Sequence, residues 1–137
     1  MIVDCDGLFA KCMKKSTHEP LTVSMVATCL VSPFTIHCNK FAPEEEKDEI
    51  SEYDKLLSQK GQEHEIQTIH ANYPKMSTIQ FTTRENGFKL AIESMISGTN
   101  ALHGMPIYYL PYGLYGEANI IEKSTDYKSI FGDSLYH

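Results

Sequence analysis

Few residues in this chain join a reactive side chain to a placement that could use it. In Gly113–Lys123, GLYGEANIIEK, a β-rich run sets Tyr115, Glu117, Asn119 and Ile121 on one strand face and Ala118 and Ile120 on the other. Glu117 and Asn119 on one edge suit a metal-site strand whose aspartate has been replaced. They suit equally a plain strand with its polar groups in solvent. His64 falls on the inward face of a long helical pattern, where a histidine most simply serves as a hydrogen-bonded core residue. His37 and Cys38 are the base and thiol of a nucleophile pair, but neighbouring helix positions do not face each other. Cys5, Cys12, Cys29 and Cys38 contain no C-x-x-C pair and match neither a zinc knuckle nor a disulfide framework, so they read as reduced, mostly buried thiols. No serine triad, P-loop or dinucleotide-binding glycine fingerprint is present.

These side chains are carried by a chain of 137 residues, read as one domain spanning 1–137 that buries roughly two-thirds of its unfolded surface. No apolar run approaches the ~18 residues needed to span a bilayer, and the N-terminus has no secretory pattern; no membrane partner and a cytoplasmic location are expected. Net charge is −6, with the acid concentrated between Ala42 and Asp54. Such a chain is repelled by phosphates, which argues against non-specific coating of nucleic acid; any such role needs a local basic groove or a cation.

Periodicity places the elements. DCDGLFAKCMKK has Leu8, Phe9, Cys12 and Met13 at helical spacing, with lysines at the end that suits the helix dipole. A second helix runs through Met25, Val26, Cys29 and Leu30 and stops before Pro33, and FTIHCNKF adds a further turn. After the acidic loop, SEYDKLLSQKGQEHEIQTIHANYP is the longest helical pattern. Tyr53, Leu57, His64 and Ala71 lie within about 40° on its inward face. Gly61 in mid-helix costs about 1 kcal/mol, which calls for a reason such as close approach of another backbone. STIQFTT reads as a short strand. Thr82 and Glu85 form a capping box ahead of a helix with Phe88, Ala91, Ile92 and Met95 inward, ended by Gly98. MPIYYLP and GLYGEANIIEK are neighbouring strands joined by Pro111-Tyr112-Gly113.

In this order the motifs resemble the first half of a PD-(D/E)XK nuclease of the RecB-like group, which includes the CRISPR-adaptation exonucleases. The likeness covers about residues 20 to 123: Ser24 to Pro33 as a Ser-x-x-x-x-x-x-L-x-x-P helix, Gly61, His64 and Glu65 as Gly-x-x-His-Glu, Met95 and Gly98 as Met-x-x-Gly, and a hairpin ending at Gly116 with Asn119 where the family has aspartate. The resemblance implies that His64 and Asn119 are metal-ligand positions for Mg2+ or Mn2+. It also implies a following Glu-x-Lys strand whose lysine supports the attacking water in hydrolysis of DNA phosphodiesters. Asn119 brings no negative charge, so cation affinity should fall sharply. No Glu-x-Lys strand is present; Asp126-Tyr127-Lys128 reads as its substitute or as solvated loop. Ser32-Pro33 stands where iron–sulfur members have Cys-Pro, so no cluster is expected.

The resulting expectation is a mixed α/β fold: a helical N-terminal half, then a helix-covered sheet, as a restriction-endonuclease-like core that looks truncated. Its activity in the family is cleavage of DNA, incomplete or lost in this chain, with a homodimer through the exposed sheet edge. The alternative is a non-enzymatic helical interaction module whose acidic segment 42–54 binds a basic partner.

Overall fold

A computed structural model of the chain describes residues 4–74, 76 and 79–124. The fold is mixed α/β and divides into two compact units, one of Met1–Val26 with Met76–His137 and one of Ala27–Lys75. Among the described residues no helix is long and apolar enough to cross a membrane.

The first unit is built on a three-stranded sheet of order β1-β3-β2, in which β1 is Leu21–Thr22, β2 is Ala101–Tyr109 and β3 is Leu114–Glu122. β2 and β3 form the expected hairpin, antiparallel from Ala101↔Glu122 to Tyr109↔Leu114. The connection is a short 3-10 turn, Leu110–Tyr112, closed by Gly113 at φ +69°. β1 runs parallel to β3 and pairs only with Leu114 and Tyr115. It adds a strand to the N-terminal half, which was expected to be helical throughout. Two residues leave no periodic signal, and the Thr22 hydroxyl at once accepts from the Met25 N–H (3.0 Å) to open the next helix.

Helix α1 (Cys5–Met13) and helix α5 (Arg84–Ile96) complete this unit. On α5, Phe88, Ala91 and Ile92 are buried with Gly87, and Met95 packs beside the core, as the i, i+3, i+4, i+7 spacing requires. Full burial of side chains the size of Phe88 and Ile92 contributes about 1.5–3 kcal/mol each. The core joins Ala91 to Leu102, Met105 and Ile121, with Ile79 and Phe81 against it. The cap lies one residue later than expected: the Thr83 hydroxyl, not that of Thr82, accepts from the Asn86 N–H (3.1 Å). Residues 79–83 form no strand, whereas Ser77 and Thr78 lie outside the described residues. Phe81 is used for packing, its ring lying over Gly87 beside Pro106.

One irregularity shapes the hairpin. Leu102 and Met105, three residues apart, both line the core, which strict alternation forbids. Between them Gly104 adopts φ +63°, a left-handed conformation that turns the strand over without altering the register. On β3, Ala118 opposite Met105 and Ile121 opposite Leu102 both pack on the core, which corrects the expected assignment of these two to opposite faces.

The second unit holds most of α2 (Val23–Val31), α3 (Pro33–Phe41), a 3-10 turn at Glu44–Glu46 and α4 (Glu52–Asn72). Pro33 ends one helix and starts the next. Its fixed φ suits the first helical position, and the Ser32 hydroxyl caps α3 by accepting from the Thr35 N–H. α3 is thus a full nine-residue helix, longer than the single turn expected. Ser51 caps α4 through the Asp54 N–H (3.1 Å). No residue of α2, α3 or α4 is buried.

Candidate functional site

His64 lies on α4 in the helical unit, and Asn119 lies on β3 in the sheet unit. The inward orientation expected of His64 is not found: its side chain is exposed, and its carbonyl accepts from the Thr68 hydroxyl (2.9 Å). The low apolar content of α4 explains this, because a face with Gly61 and His64 among its members offers little surface to bury. Beside it the Lys60 ammonium pairs with Glu63 (2.6 Å), while Glu65 is half-buried and engaged. Gly61 meets no backbone either; nothing lies within 4 Å of where its Cβ would stand.

Asn119 occupies the rung opposite Gly104, between the His103↔Ile120 and Met105↔Ala118 pairs, and is exposed. Glu117, two residues earlier, is also exposed and accepts from the Arg84 guanidinium at 3.0 Å. Its other carboxylate oxygen stands 4.0 Å from the Cβ position of Gly104. The Glu117 carboxylate is therefore paired with the first residue of α5. An imidazole and an amide oxygen supply no negative charge, and hard divalent cations are held by carboxylates. Among the described residues no group of three or more His, Cys, Asp and Glu side chains could hold a metal ion. His64 and Asn119 do not fit Mg2+ or Mn2+ as a donor set. Asp126-Tyr127-Lys128 lies outside the described residues.

Other chemistry-bearing residues resolve into packing. The His37 ring sits between Phe34 (6.3 Å) and Phe41 (4.8 Å) along α3, the i−3 and i+4 neighbours that a helix supplies. The four cysteines are free; Cys29 is exposed and the other three are half-buried, which corrects the expectation of mostly buried thiols. Burial pushes the Cys12 thiol above the ordinary cysteine range, and the Lys11 ammonium opposes that rise.

Sequence reasoning missed the aromatic organisation of the sheet unit. Phe9, Phe88, Tyr108 and Tyr115 form a continuous row with ring centroids 5.6–6.1 Å apart, joining α1, α5 and both hairpin strands. A second group at the hairpin tip brings Tyr109, Tyr112 and His18 together with their rings tilted. The dense tyrosines of YYLPYGLY around the turn were the available signal. No family model matches the chain, and neither does any curated protein or solved structure.

Proposed function

We propose that the chain is a RecB-like nuclease-fold domain, restriction-endonuclease-like in its core, whose ancestral chemistry is metal-dependent hydrolysis of DNA phosphodiesters and which does not cleave by itself. The observation that carries this reading is a sequence of parts: helix α5 with Met95 in its last turn and Gly98 just beyond its end, followed by an antiparallel hairpin with Gly116 and Asn119 on its second strand. In the PD-(D/E)XK pattern that strand carries the metal-binding aspartate. Asn119 removes its charge and Glu117 is taken by Arg84, so the means to hold a cation beside phosphate are reduced.

The test restores what was lost. Asn119→Asp should bind Mn2+ at least tenfold more tightly than the unaltered chain, about 1.4 kcal/mol, read as a larger rise in melting temperature at millimolar metal. Asn119→Ala should show no such rise. No response in Asn119→Asp, or an equal response in Asn119→Ala, overturns the reading. Purified unaltered chain should leave DNA intact in Mn2+.

A second reading is favoured by the helical unit. Leu30, Val31, Phe34 and Tyr53 are each more than two-thirds exposed, and the same unit carries the exposed acidic residues of 44–54. That combination suits a basic, amphipathic protein partner. A protein of this kind would show no response to Mn2+ in any variant.

A further inference from the structure

We draw no further inference here: the strongest candidate, the exposed stripe of Phe34, His37 and Phe41 along α3 in the helical unit, is an apolar helix face, and nothing in the structure shows what covers it.

Discussion

Asn119 and Glu117 show how one pair of residues can look like a metal edge and behave otherwise. The carboxylate that could have compensated for the missing aspartate is turned toward Arg84, an exposed pair of modest energy that nevertheless fixes where the negative charge points. Cys12 shows the reverse case, in which an unreactive environment is legible from burial. Its raised pKa means that the folded chain keeps the proton where an unfolded chain, with a cysteine near ~8.5, loses it. The stabilisation is present below that value and is lost as pH rises through the folded pKa. At pH 8.5, iodoacetamide should therefore modify exposed Cys29 well ahead of Cys12, as read by peptide mass spectrometry after timed quenching.

Among the elements, two glycines on helices predict opposite outcomes. Gly61 lies in the interior of α4 with open space around it, so Gly61→Ala should stabilise the chain by about 1 kcal/mol in urea unfolding. Gly87 lies under Phe81 and Pro106, and a Cβ there would stand 2.8 Å from each. Gly87→Ala should be destabilising by about 1–2 kcal/mol, the overpacking outweighing the helix-propensity gain. The same contrast explains what the sequence revealed. α5 was legible because its apolar period is strong and buries a face, whereas β2 and β3 were legible as β-rich runs about a turn although the reversal at Gly104 breaks their alternation. Thr83 was missed for Thr82 because Thr82-Thr83 offers two hydroxyls and only the backbone decides between them. β1 was illegible because its two residues belong to a sheet by virtue of Gly113, far along the chain. The candidate site was legible only as residue types: the partner that claims Glu117 and the exposure of His64 depend on packing that no local spacing encodes.

For the whole molecule, burial is uneven. The buried apolar residues belong to the sheet unit, while α2, α3 and α4 contribute none among the described residues. Amide hydrogen exchange should therefore be slowest at Leu102, Met105 and Ile121 and faster by orders of magnitude through α3 and α4; uniform protection would contradict this distribution. The reversal of the chain at Gly104 carries a further consequence for assembly. A ribbon with an unbroken two-residue repeat can slide by one repeat along its neighbour and still hide its oily side. Here the side that must be hidden changes at a fixed place, so any slid alignment leaves Leu102 or Met105 in water. The hairpin accepts a single alignment, and a second chain offering its own β2 in exchange would have to reproduce the same flip at the same rung.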